Sequence, residues 1–167
     1  IKGVNFATGS GVLYVAPNNV SYDYIITAKH ILQESPDVNY NSKSISKIEI
    51  SRPVGKSFES FHEIGKGEIL DRVIIFDGDV AIIKVEKKVG CNFPLILVSD
   101  EPDEGENDFV IWGTFAAANM EQIHRVKVEG SEPYYGRYQL VKDSTPNDLK
   151  GLSGAGLFHS SKPCLYG

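Results

Sequence analysis

Ser153 stands between Gly151-Leu152 and Gly154-Ala155-Gly156, at the mouth of the short apolar run Leu157-Phe158. A serine hydroxyl is a weak nucleophile at neutral pH. It becomes useful when a neighbouring base takes its proton and N–H groups hold the oxyanion that follows. Glycines on both sides permit the tight backbone that exposes such a serine and turns nearby N–H groups toward one point. Two other segments carry groups that would complete this chemistry. His30 follows a β-rich run ending in Thr27-Ala28, and Asp79 opens the apolar stretch Val80-Ala81-Ile82-Ile83. An imidazole can accept the serine's proton, and a carboxylate behind it can fix its tautomer and orientation. Each piece alone is equally readable as plain structure: a glycine-rich turn, a strand end, a residue after a tight turn. Their order along the chain, His30, Asp79, Ser153, is what lifts the set above its parts.

The elements that must position these groups read as short strands cut by turn chemistry. Gly11 to Ala16 is strand-like and stops at Pro17-Asn18-Asn19. Tyr22 to Thr27 is a second strand and passes into Ala28 to Leu32, which reads as one helical turn closed by Ser35-Pro36. Lys47 to Ser51 alternates polar and apolar residues, the mark of a half-buried strand. Residues 52–68 show no period, because Pro53, Gly55, Gly65 and Gly67 interrupt it. Leu70 to Phe76 reads as a strand, and Asp77-Gly78 then makes a hairpin turn into Val80 to Val85. Phe109 to Gly113, Gln122 to Glu129 and Tyr134 to Val141 read as three more strands. The stretch Cys91 to Asp108 is rich in Pro, Ser, Asp and Glu and reads as an acidic seam between two strand-rich halves. Short strands at such intervals predict an all-β antiparallel barrel or sandwich.

Composition narrows the function classes. A chain of 167 residues with 16 glycines and 8 prolines suits one turn-rich domain, or two small barrels sharing one core. The net charge of −5 argues against nucleic acid or an anionic membrane as a partner. No apolar run approaches the roughly 20 residues of a membrane helix, and no signal-peptide pattern opens the chain. The two cysteines, Cys91 and Cys164, have no metal-type spacing. They are either two buried, reduced thiols or one bridge, and the former leans toward a reducing compartment. Neither a cofactor nor a metal site is expected.

On these residues the sequence resembles the chymotrypsin (trypsin-like) serine peptidase superfamily, nearest in style to its compact bacterial members with few cysteines. Thr27-Ala28-Lys29-His30 resembles the family's Thr-Ala-x-His element. Asp79-Val80-Ala81-Ile82-Ile83 resembles its Asp-φ-Ala-φ-φ strand, where φ is apolar, and Gly151-Leu152-Ser153-Gly154 its Gly-x-Ser-Gly turn. Gly9-Ser10-Gly11-Val12-Leu13 is similar to the strand that precedes the histidine in bacterial branches. The likeness spans roughly residues 7 to 167 and is carried by these motifs rather than by continuous similarity.

The resemblance implies two six-stranded antiparallel β-barrels with the active site in the cleft between them. The first, residues 1–95, would carry His30 and Asp79; an acidic connection would cover 96–108; the second barrel, 109–167, would carry Ser153. It implies a serine endopeptidase acting on protein or peptide through an acyl-enzyme. Ser153 would be the nucleophile, His30 the general base and acid, Asp79 the orienting group, and the backbone N–H groups of Gly151 and Ser153 the oxyanion hole. Asn147, Asp148 and Lys150 fall where the family builds its primary specificity pocket. His124 either matches a pocket histidine of glutamate-selective relatives or is an exposed strand residue; His62 and His159 have no motif context, and Trp112 is read as core or interface.

Departures from the family pattern are informative. Leu152 precedes the serine where activated digestive enzymes carry an aspartate, so activation through a freed Ile1 is rejected. Ala155-Gly156 replaces the Gly-Pro that often follows the nucleophile, which implies a looser turn. The family's next strand, which walls the specificity pocket, would follow Gly167, so the natural chain is expected to continue. That expectation, with the reducing lean, points to the protease domain of a larger bacterial protein in the cytoplasm, regulated by a partner or an appended domain. A secreted or periplasmic enzyme is the alternative location. The rival function is a peptidase-fold binding or scaffold module without turnover. An α/β-hydrolase is discarded, because its order is serine, acid, histidine and no βαβ pattern appears.

Overall fold

A computed structural model describes residues 7–33, 41–88, 91, 93–98, 109–115, 120–126, 128–132, 137–140, 152–161 and 164–165. Among the described residues the protein is all-β apart from one 3-10 turn, Lys29–Leu32, and one four-residue helix, α1, Ile69–Arg72. Strands β1 (Gly11–Tyr14), β2 (Tyr22–Ala28), β5 (Val73–Ile75) and β6 (Val80–Glu86) form an antiparallel sheet in the order β1-β2-β6-β5. Strands β3 (Lys47–Val54) and β4 (Ser57–Gly65) form a separate hairpin. A five-stranded sheet runs β7-β13-β12-β8-β9, built from β7 (Leu97–Val98), β8 (Phe109–Phe115), β9 (Met120–Val126), β12 (Gly156–His159) and β13 (Cys164–Leu165). Strands β10 (Val128–Glu132) and β11 (Arg137–Leu140) pair with each other. Among the described residues no sheet closes on itself, and β7 runs parallel to β13 rather than antiparallel.

The first core follows from strict alternation. Ala81, Ile83 and Val85 of β6 turn to the same face as Ile25 of β2 and Val73 of β5, and all are buried. Ile48 and Ile64 of the β3–β4 hairpin, Ile69 of α1 and Leu32 of the 3-10 turn cover that face. Each such side chain contributes about 1.5–3 kcal/mol when fully removed from water. In the second sheet Phe109, Leu157, Cys164 and Leu165 are buried. Cys91 and Cys164 are both free thiols, the first half-buried.

The structure refines the reading of four stretches. Leu70 to Phe76 is not one strand. Its first half is helix α1, bracketed by an ion pair between Glu68 and Arg72 one turn apart, and only Val73–Ile75 is extended. Residues 52–68, which show no period, hold the turn and most of a regular hairpin. Its connection is the two-residue Gly55-Lys56, with Gly55 at φ +61°, the left-handed corner that matches strand twist. The period is lost because a bulge puts Phe61 between the pairs Ile50–His62 and Ser51–Ser60. The stretch Gln122 to Glu129 is divided between β9 and β10, and the acidic connection 96–108 begins with strand β7. Its remainder, 99–108, lies outside the described residues. The Asp77-Gly78 hairpin turn is present, with Gly78 at φ +84° between β5 and β6.

Candidate active site

Strand β2 sets the first part of the site. It ends at Ala28, paired with Val80 of β6, so the residues just beyond each strand end are brought side by side. The chain then winds into the 3-10 turn, held by a Gln33 N–H to His30 carbonyl bond of 3.2 Å and anchored by buried Leu32. This directs His30 back across the end of β6 toward Asp79. The aspartate grips that turn in three places. Its backbone carbonyl accepts the Lys29 N–H at 3.1 Å, Oδ1 accepts the His30 N–H at 2.9 Å, and Oδ2 lies 2.6 Å from His30 Nδ1.

Ser153 comes from the second half of the chain, on the turn that leads into β12. The Ala155 N–H donates to the Leu152 carbonyl at 2.7 Å, closing a four-residue turn with Ser153 and Gly154 at its corners. Gly154 has φ +79°, the value a type II turn needs at its second corner. The turn is thus hydrogen-bonded shut, although Ala155-Gly156 was expected to leave it looser. Ser153 Oγ lies 2.7 Å from His30 Nε2.

Proton placement follows from the partners. An ionised carboxylate only accepts, so His30 Nδ1 carries the hydrogen toward Asp79. In the neutral imidazole Nε2 is then the acceptor, and the Ser153 hydroxyl donates to it. The three side chains form one unbroken line, Ser153 to His30 to Asp79. The line is open to water: the His30 side chain is 41% exposed and that of Asp79 56%. This exposed bond therefore adds little stability, and its effect is to hold the ring in place.

The structure brings together His30, Asp79 and Ser153, the three residues singled out by type and order. Gly151, expected in the oxyanion hole, and Asn147, Asp148 and Lys150, expected near the specificity pocket, lie outside the described residues. His124 falls on β9 opposite Ile111, and Trp112 on β8 is 44% exposed with its ring against Phe158 at 6.0 Å. His62 sits on β4, in the β3–β4 hairpin, and His159 at the end of β12. No three His, Cys, Asp or Glu side chains cluster as metal ligands among the described residues. No helix among them is long and apolar enough to cross a membrane.

Sequence reasoning missed how the Ser153 backbone is held. The Ser10 N–H donates to the Ser153 carbonyl at 2.7 Å, and the Thr27 hydroxyl donates to the Ser10 carbonyl at 2.6 Å. The available signal was Thr27 alone, a hydroxyl residue in line with apolar Ile25 on β2, because Ser10 takes part through its backbone.

Comparison of the chain with protein-family models, with curated proteins and with solved structures finds no match.

Proposed function

We propose that this protein is a serine endopeptidase that cleaves peptide bonds through an acyl-enzyme. The observation that carries the proposal is the continuous line from Ser153 Oγ to His30 Nε2 and from His30 Nδ1 to Asp79 Oδ2, at 2.7 and 2.6 Å. Ser153 Oγ attacks the scissile carbonyl carbon as its proton passes to His30 Nε2. The tetrahedral oxyanion forms beside the turn, where the N–H groups of Gly151 and Ser153 are the proposed donors. The C–N bond then breaks, and His30 returns the proton to the departing amine. Water, deprotonated by the same nitrogen, releases the acyl group and restores Ser153. Asp79 stays ionised throughout and stabilises the imidazolium that forms transiently.

On this reading the two strand-rich halves, 1–95 and 109–167, are two six-stranded antiparallel barrels, joined by 96–108, with the site in the cleft between them. Support comes from the origin of the site residues, two at the β2 and β6 ends and one before β12. The substrate is protein or peptide, with Asn147, Asp148 and Lys150 as pocket candidates. The setting proposed is a regulated bacterial protein of the cytoplasm.

A fluorophosphonate probe tests the proposal, because it reacts only with a serine whose base and oxyanion site are assembled. Labelling should map to Ser153 and vanish in Ser153→Ala and in folded His30→Ala. A folded parent that resists the probe would mean a binding module with the site residues but no turnover.

A further inference from the structure

We propose that Thr27 is a positioning residue for Ser153: through the Ser10 peptide groups it sets the nucleophile against His30. This rests on Ser153 acting as the nucleophile.

Thr27 is 5% exposed and lies on the inward face of β2, in line with Ile25. A valine would fill the same volume, and a buried hydroxyl is costly unless it is bonded. The register of β1 on β2 begins at Gly11 opposite Thr27, so Ser10 lies one residue beyond the paired strands. The Thr27 hydroxyl reaches past the end of that ladder and donates to the Ser10 carbonyl at 2.6 Å. On the other side of the Ser10 Cα, its N–H donates to the Ser153 carbonyl at 2.7 Å. Holding one peptide group restrains the other, so Thr27 fixes the direction of the donor that seats Ser153.

The same atoms bound the turn itself. A Cβ added to Gly154 would meet the Ser10 carbonyl oxygen and Thr27 Oγ1 well inside contact distance, and the Ala28 nitrogen at 2.8 Å. Thr27 lies at the end of β2, and His30 three residues on, in the 3-10 turn that follows it directly. The base is thus referenced to β2 through the chain, and the nucleophile through Thr27 and Ser10. Reacting groups displaced by about 1 Å lose on the order of 10²-fold in rate, so a hydroxyl remote from the substrate can govern turnover.

The test measures the fluorophosphonate labelling rate at Ser153 across pH for the parent, Thr27→Val and Thr27→Ser, with thermal unfolding to count folded molecules. Thr27→Val should label about 10- to 100-fold more slowly at the plateau, with the pH midpoint unmoved because His30 and Asp79 are untouched. Thr27→Ser, which keeps the donor, should restore most of the rate. If Thr27→Val does not fold, Thr27→Cys replaces it, keeping the bulk with a weaker donor. Folded Thr27→Val labelling at the parent's rate overturns the proposal, as does folded Thr27→Ser labelling as slowly as Thr27→Val. A parent that resists the probe removes the enzyme reading along with this one; a labelled parent with an equally labelled variant removes this one alone.

Discussion

The two flanks of the site are built in opposite ways. Around the serine turn, Thr27 is 5% exposed and Ser10 9%, and the contacts are neutral hydrogen bonds between close-packed backbone segments. Around the base, His30 and Asp79 are 41% and 56% exposed and joined by a charge-bearing bond. Close packing tolerates no displacement, whereas exposed side chains are free to move unless something directional holds them. Ser153 is therefore positioned by backbone shape and His30 by hydrogen-bond direction. Water screens the attraction between an exposed carboxylate and an imidazolium, so on the proposed mechanism Asp79 acts chiefly through its two bonds to His30 rather than through its field.

The sharpest way to break this contrast is Asp79→Asn. The amide keeps the size but can present an N–H to Nδ1 and so favour the wrong ring tautomer, leaving Nε2 with a hydrogen and unable to accept from Ser153. Loss of about 10⁴ in turnover is expected, as for an orienting aspartate in a comparable triad. Labelling rate and kcat against a peptide should fall together, with thermal stability nearly unchanged because the pair is exposed. A large drop in melting temperature would show instead that Asp79 is structural.

Gly154→Ala attacks the other flank and should cost less in rate but more in stability. A methyl group at φ +79° is strained by roughly 1–2 kcal/mol, and it would also press on Ser10 and Thr27. The turn must then shift, moving Ser153 away from His30 and reducing labelling by about 10²-fold. The pairing of outcomes separates the flanks: Asp79→Asn loses rate without stability, and Gly154→Ala loses both.

The same contrast governs what could be read from the chain. His30 and Asp79 were legible because each follows or opens an alternating strand, and the Val80–Ala28 register carries them together. Ser153 was legible from its glycines. The Ser10–Ser153 bond was not, because it joins backbone atoms remote in sequence and so has no residue signature. Local context also hid the β3–β4 hairpin. Its bulge at Phe61 breaks the two-residue period, and Pro53 reads as a breaker although it pairs with Phe58 near the strand end. Helix α1 was misread for a similar reason: Leu70, 76% exposed, and buried Ile69 look like strand neighbours until the Glu68–Arg72 pair is counted. Asn147, Asp148 and Lys150, expected near a specificity pocket, lie outside the described residues.

The smallest predicted effect lies away from both flanks and tests whether they are independent of the rest of the fold. His62, beside the β4 bulge, has a buried Nε2 with no hydrogen-bond partner among the described residues. Burial holds its pKa below the usual histidine range; the charges of Lys88 and Arg72 add to this, and those of Glu86 and Asp23 oppose it. A histidine is protonated in the unfolded chain below about pH 6.5. Between that value and the lower folded one, the unfolded state binds more protons, so stability is full above pH 6.5 and declines as the pH falls. His62→Leu removes both the titration and the unpartnered nitrogen. Its melting temperature should therefore fall less than the parent's between pH 7 and pH 5, while Ser153 labelling at neutral pH stays at the parent's rate. Parallel melting curves for the two proteins would remove His62 as a source of acid sensitivity. A changed labelling rate at neutral pH would show instead that the β3–β4 hairpin is coupled to the site.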